Sequence, residues 1–326
     1  MTPTACPVCL IVPSRVLLEL KDVRSALISE QLRGHRAGVG APASLVAAGR
    51  QRAVYDARHH AKLPGKLTRS EGGAASDDPA VNAAYDSSGA TYDFYQTVLG
   101  RSSVDDAGLP LKSTVHYERD FNNAFWNGRQ MVYGDGDGQL FVGFAGALDV
   151  VAHELTHGVT QHRVPGGLDY AEESGALNES ISDVFGSVVK QWKLGQTAAQ
   201  ADWLIGAGIM APAVGKALRS MKDPGNTALT WSGDDQPGNM SGYVQGGDVH
   251  TNSGIPNRAF YLAATALGGN SWDKAAKVWY AALPMLTPAA TFKDVAKATQ
   301  AAAAQLGLSA ADQAAVKAAW KGVGVI

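Results

Sequence analysis

The five residues His153-Glu154-Leu155-Thr156-His157 constrain this chain more than any other stretch of it. They lie between two helix-permissive runs, Leu148-Asp149-Val150-Val151-Ala152 and Gly158-Val159-Thr160. Residues four apart share one face of a helix, so His153 and His157 can aim two imidazoles at one metal ion. Glu154 is then placed to act on water at that metal, which is the spacing of the helical zinc hydrolases. A catalytic zinc wants three protein ligands and one open position. Downstream, Gly175-Ala176-Leu177-Asn178-Glu179-Ser180-Ile181-Ser182-Asp183 offers the third ligand in Glu179. Asp183 shares the helical face of Glu179 and is expected to accept the outer N–H of a ligating histidine, fixing its tautomer. Either carboxylate alone would read as a solvated helical charge; together, beside the histidine pair, they read as a metal site.

The chain has 326 residues, 45% of them apolar and 18% charged, enough for one large or two ordinary domains with a sizeable core. A net charge of −2 and the lack of a basic cluster predict no nucleic-acid and no membrane-surface partner. A monomer is expected. Met1–Pro7 lacks the basic start and long apolar block of a secretory signal. The expectation is a cytoplasmic protein, export by a signal-independent route, or a chain that begins after a removed signal. The two cysteines, Cys6 and Cys9, form a C-P-V-C segment rather than a disulfide framework.

Residues 15–34 read as one short helix, with Val16, Leu17, Leu20, Val23, Ala26 and Leu27 on one face. The small-residue stretch from Gly38 to Gly49 reads as a linker, which makes the first fifty residues a detachable piece. From Ala53 to Ala147 the pattern is rich in strands and turns. Ser113–Tyr117 alternates like a strand, with His116 as packing, and His59-His60 reads as exposed loop. Met131–Tyr133 and Leu140–Val142 flank Gly134-Asp135-Gly136-Asp137-Gly138 like a hairpin. An EF-hand is excluded there, because Leu140 stands where that loop requires glycine. Asp78–Leu99 is helical. After His153 helices dominate, following Ser271, Thr291 and Ser309, the last two with capping-box-like starts T-F-K-D and S-A-A-D. The fold class is α+β, with a β-rich N-terminal domain, a mainly α-helical C-terminal domain and the metal helix between them. The expected boundaries are residues 1–50, 51–163 and 164–326.

Further words accompany the metal motif in order: Asn122-Asn123-Ala124-Phe125-Trp126-Asn127-Gly128, Met131-Val132-Tyr133-Gly134-Asp135-Gly136-Asp137-Gly138, Glu173-Ser174-Gly175-Ala176-Leu177-Asn178-Glu179, Leu218-Arg219-Ser220-Met221 and Val249-His250-Thr251-Asn252-Ser253-Gly254. Taken together they resemble the thermolysin-like zinc metalloproteases across most of residues 53–326. Cys9-Leu10-Ile11-Val12-Pro13 resembles the protealysin-like branch, whose members carry a short propeptide, although Ser14 stands where that branch more often has a second proline. The resemblance implies a two-domain neutral endopeptidase that uses Zn2+ and cleaves proteins or peptides before bulky apolar residues. It implies His153, His157 and Glu179 as zinc ligands and Glu154 as general base. His250 and Tyr170 match the residues that bond the oxyanion, Arg219 the arginine on a substrate carbonyl, and Asn123 and Ala124 the holders of substrate backbone. Phe141, Val150, Ile205, Ile209 and Leu218 match the main specificity pocket. Residues 1–50 would be a propeptide acting as intramolecular inhibitor of a zymogen, with Cys6 or Cys9 a candidate plug on the zinc.

The chain departs from that family in three places. The loop between His157 and Glu179, around Arg163 to Gly167, is longer than the family's. Gln245 stands where an aspartate usually supports the active-site histidine, and Asp248 is the replacement the sequence offers. Lys190, Leu204 and Ala207 replace three acidic ligands of the family's double calcium site, while Asp149 and Asp202 remain. Calcium is therefore not expected there, and Lys190 is expected to pair with Asp149 or Asp202. Two alternatives are a zinc aminopeptidase, which should carry a G-x-M-E-N-like motif that is missing, and a non-catalytic peptide-binding zinc fold, against which Glu154 and His250 argue.

Overall fold

The computed structural model describes residues 8–34 and 49–326. The chain divides into two compact units, one drawn from Pro7–Val159 with Gly206–Leu218, the other from Thr160–Ile205 with Arg219–Ile326. Cys6 and nearly all of the expected linker lie outside the described residues. Among those described, no helix is long and apolar enough to cross a membrane.

The first unit holds β1 (Cys9–Leu10), α1 (Ser14–Glu19), α2 (Val23–Gly34), β2 (Arg52–Asp56), β3 (Lys66–Ser70), α3 (Pro79–Leu99), β4 (Leu111–Val115), β5 (Ala124–Trp126), β6 (Met131–Tyr133) and the start of α4 (Leu148–Arg163). Its six strands make one mixed sheet in the order β1-β5-β6-β4-β2-β3. The pairs β2–β4 and β4–β6 are parallel, and the others antiparallel. A parallel pair needs a crossover, and α3 lies in the one between β2 and β4. Asp78 caps α3 by accepting from the Ala80 amide at 2.8 Å, Pro79 opens the first turn, and Gly100 ends it at φ 67°.

The N-terminal segment is part of this sheet and of its core. Val8 and Leu10 join Tyr117, Phe121, Phe125 and Val132 in one buried cluster, with Ile28 and Leu32 against it. The single helix expected over 15–34 is two. Lys21 takes a left-handed φ of 66°, and Asp22 then caps the second helix by accepting from Ser25 N at 3.0 Å. The break turns the expected apolar face: Val16, Leu17 and Ala26 are buried, whereas Val23 and Leu27 face solvent. The hairpin expected around Gly134–Gly138 is also absent. Asp137 Oδ1 accepts from the amides of Gln139 and Leu140 at 2.9 and 2.7 Å and folds the chain back, with Gly138 N donating to Phe141 O at 2.9 Å, but Leu140–Val142 forms no strand against Met131–Tyr133. Phe141 bridges Met210 instead, and Val142 N donates to Ile209 O at 2.8 Å. Arg50 and Arg52 are tied into the fold by their side chains. Arg50 pairs with Asp93 at 2.5 Å, and Arg52 is buried in β2 against Glu71 and the Tyr85 carbonyl.

The second unit contains α5 (Glu172–Leu194), a two-stranded pair β7 (Leu204–Ile205) and β8 (Arg219–Ser220), and α6 (Val249–Asn252), α7 (Gly254–Leu267), α8 (Ala275–Ala282), α9 (Phe292–Gln305) and α10 (Ala310–Gly322). The capping box expected at Thr291 and Asp294 is present, and Ser309 caps α10 through Asp312 N. Trp279 stacks on Trp320 at 5.9 Å between ring centroids, tying α8 to α10. Lys190 Nζ lies 3.0 Å from Asp202 Oδ1 and donates to Leu204 O at 2.7 Å.

His116 is more than strand packing. It leaves the end of β4 at φ 54°, with Nδ1 2.8 Å from Asp135 and Nε2 2.7 Å from Asp78. His59 lies beside it, 3.6 Å from Asp135. The hydrogen bond with Asp135 does most to raise the imidazole pKa, to about 9; burial opposes, and Asp78 adds to the rise. A pKa raised on folding from 6.5 contributes stability that is full below about pH 6.5 and is lost as pH rises through about 9. In urea unfolding, His116→Gln should therefore cost most in mildly acidic buffer. The gap to wild type should close above pH 9, and a constant gap would contradict the ion-pair account.

Candidate active site

Helix α4 carries the histidine pair. Val150, Val151, Ala152, Leu155 and Val159 are buried along it, and Thr156 receives a hydrogen-bond contact from Tyr95 at 2.7 Å. Gly158 follows the motif because a side chain there would meet Val104 Cγ1 at 2.4 Å and the Trp126 indole at 3.1 Å. Fixed in this way, His153 and His157 bring their Nε2 atoms to 3.0 Å, with rings nearly perpendicular and fully buried. Two nitrogens bound to one tetrahedral zinc lie about 3.3 Å apart, so the donor set fits zinc. Glu154 is buried too, and its Oε2 accepts from Trp126 N at 3.0 Å. Burial, with the charge of Glu154 adding, pushes the Tyr133 hydroxyl well above its ordinary pKa.

The same unit holds an extended backbone against β5. Cys9 pairs with Trp126 and Leu10 with Phe125, and Ile11 N donates to Ala124 O at 3.3 Å. The Asn123 side chain grips Val12 at both ends: Oδ1 accepts from Val12 N at 3.0 Å, and Nδ2 donates to Val12 O at 2.9 Å. Leu10, Ile11 and Val12 are fully buried. The expected backbone holders Asn123 and Ala124 thus both bond chain residues 11–12. Of the expected pocket residues, Phe141, Val150, Ile209 and Leu218 are buried in this unit, and Ile205 is buried in the other.

In the second unit α5 begins after Ala171, with Glu172 and Glu173 in its first turn, where the helix dipole favours negative charge. Gly175 allows the chain to close up, since a side chain would strike Val249 at 2.5 Å and the Tyr170 backbone at 2.9 Å. Two predicted oxyanion donors are brought to the predicted ligand. Tyr170 Oη donates to Glu179 Oε1, and His250 Nε2 lies 3.3 Å from Glu179 Oε2. Asp248 supplies the carboxylate that Gln245 lacks, at 2.9 Å from His250 Nδ1. Gln245 instead donates to Glu172 Oε2 at 3.0 Å, and Glu172 also holds Gly246 N and the Tyr243 hydroxyl.

Asp183 is gripped by Arg219 through Nε at 2.9 Å and Nη2 at 2.8 Å, and accepts from Asn257 at 2.8 Å. Burial opposes the Arg219 charge, but Asp183, with Glu179 and Asp234 adding, more than offsets it and the guanidinium pKa is raised. Sequence reasoning missed two contributors, the Trp126 amide and Asn257. A backbone donor leaves no mark in sequence, and Asn257 sits among apolar residues of α7 without a motif of its own.

Two family models match the chain: the thermolysin metallopeptidase catalytic domain over residues 42–161, and the α-helical domain of the same family over residues 166–325. The chain belongs to the thermolysin family of metallopeptidases. An extracellular metalloprotease of Pectobacterium carotovorum subsp. carotovorum is 53% identical over 285 residues, covering 84% of this chain and 81% of the relative. Protease PrtS of Photorhabdus sp. (strain Az29) is 41% identical over 321 residues, covering 95% and 86%. Among solved structures, the precursor of protealysin, a metalloproteinase from Serratia proteamaculans, matches with a TM-score of 0.86 and 46% identity, covering 98% of this chain and all of that one. The chain is thus a zinc metalloendopeptidase of the protealysin-like branch, with the β-rich catalytic and α-helical domains of the thermolysin family. This family membership sets aside the aminopeptidase and the non-catalytic alternative.

The buried Asp183–Arg219 pair predicts a clear stability result. Removing one partner strands a buried charge, so Asp183→Ala should lower the unfolding free energy by about 3–5 kcal/mol. Asp183→Leu with Arg219→Met should recover most of that in denaturant titrations. A single variant as stable as wild type would contradict the account.

Proposed function

We propose that this metalloprotease is made as a zymogen and, once its N-terminal segment is removed, cleaves peptide bonds on the N-terminal side of bulky apolar residues. The observation that carries this reading is the lie of residues 9–12 on β5. An extended chain pairs with an edge strand, Asn123 grips one of its peptide units at both N–H and C=O, and buried aliphatic side chains flank it. That is strand addition to a sheet edge, where main-chain bonds give affinity and side-chain pockets give specificity. A substrate would take the same edge, with Asn123 and Ala124 on its backbone and an apolar residue directed to Phe141, Val150, Ile205, Ile209 and Leu218.

His153, His157 and Glu179 would hold the zinc, and Asp183 would steady a ligating histidine from outside. When bound, zinc supplies a Lewis acid that polarises the scissile carbonyl and acidifies the attacking water. Glu154 takes a proton from that water and passes it to the leaving nitrogen, its carboxylate aimed by the Trp126 amide. Tyr170 and His250 donate to the carbonyl oxygen as charge develops on it, with Asp248 orienting the imidazole. Arg219, fixed by Asp183, binds a substrate carbonyl. Lys190 fills the role of a cation beside Asp202, so calcium is not required at that pair. Activating cleavage falls ahead of Arg50, because Arg50 and Arg52 are already built into the fold.

In the processed enzyme, Glu154→Gln should lower kcat/KM by about 10²–10⁴-fold on a peptide with leucine or phenylalanine after the scissile bond. Metal analysis should still find about one zinc per chain, whereas His157→Ala should lose it. Activity that survives Glu154→Gln, or equal cleavage before aspartate, would overturn the proposed mechanism or specificity respectively.

A further inference from the structure

The register of β1 has a chemical consequence at the metal helix. Successive side chains of a strand point to opposite faces. Leu10 enters the apolar cluster of Tyr117, Phe121, Phe125 and Val132, so Cys9 faces the other way. There its Sγ lies within 4.8 Å of a ring nitrogen of His157, and the residue is buried. Its strand partner is Trp126, whose amide serves Glu154. Three independent contacts hold this register: Leu10 in the cluster, Ile11 N on Ala124 O, and the two-ended grip of Asn123 on Val12. A slip of one residue would replace the thiol with an aliphatic side chain. The thiol is therefore delivered beside the histidine pair by the same bonds that seat the segment.

We propose that in the full-length chain Cys9 binds the catalytic zinc as a thiolate, closing the coordination position that substrate hydrolysis needs. This rests on the reading that His153, His157 and Glu179 hold zinc. As the site forms, the thiol proton goes to solvent, a sulfur lone pair makes the S–Zn bond, and a water molecule leaves the metal. When the segment departs, water returns and the thiolate takes up a proton. Thiolate is a strong zinc ligand, and four protein ligands make a closed, structural kind of site rather than a catalytic one. Latency thus has two parts, a strand on the substrate edge and a sulfur on the metal, and both are set by one register.

The test is cobalt substitution of the intact full-length chain. Cobalt(II) bound by thiolate shows an intense near-ultraviolet sulfur-to-metal charge-transfer absorption. Wild type loaded with one cobalt per chain should show it, Cys6→Ser should keep it, and Cys9→Ser and Cys9→Ala should both lose it while keeping their cobalt and their circular dichroism. A wild-type chain that binds cobalt without the absorption, or a Cys9→Ser chain that retains it, overturns the plug and leaves the zinc assignment standing. A folded chain that binds no cobalt overturns both.

Discussion

The outer edge of β5 is where the structure of the first unit converges. Residues 124 and 126 present their backbone groups to the same side of the strand. Ala124 N is taken by the Asn123 side chain, Ala124 O by Ile11 N, and Trp126 N by the Glu154 carboxylate. A three-residue strand therefore positions an extended backbone and a helical carboxylate side by side. An unpaired edge is a template for strand addition. Here the edge is completed by the chain's own residues 9–12, and the donor that would continue the ladder is given to Glu154 instead. Pairing gives way to the metal helix at that point.

The N-terminal segment is tied to the first unit well beyond the edge. Asn122 donates to Asp22 at 2.7 Å, and its amide donates to the Ser25 hydroxyl at 3.1 Å, so α2 is anchored next to the residue that grips Val12. Arg24 reaches Glu118 at 2.9 Å. Ile28 and Leu32 lean on the cluster that Leu10 enters. Removing the segment would uncover Phe121, Phe125 and Val132 as well as the edge. The surface that its removal would expose is thus apolar and strand-forming, the two properties that recruit an apolar extended peptide.

Much of this was legible in the sequence because the responsible signals are local. The histidine spacing, the helix over 78–99 and the Thr291–Asp294 box each act within a few turns of helix, and each is found where its pattern put it. What was not legible depends on long-range partners. The hairpin reading of Gly134–Gly138 failed because the partner of Phe141 is Met210, sixty-nine positions away in a different part of the chain. The single helix over 15–34 failed because Lys21 and Asp22 form a break that periodicity alone passes over. His116 looked like packing because Asp78 and Asp135, distant in sequence, meet it only after folding. Asp248 was visible as an unusual carboxylate, and its hydrogen bond to His250 gives it a reason.

The central claim is that residues 9–12 occupy the edge a substrate must use. The most direct measurement compares hydrolysis of a peptide with leucine after its scissile bond by the intact, zinc-loaded chain and by the same chain cut between residues 35 and 48, with the N-terminal fragment removed. The account predicts an inactive intact chain and an active cut one. Equal rates from the two would contradict it.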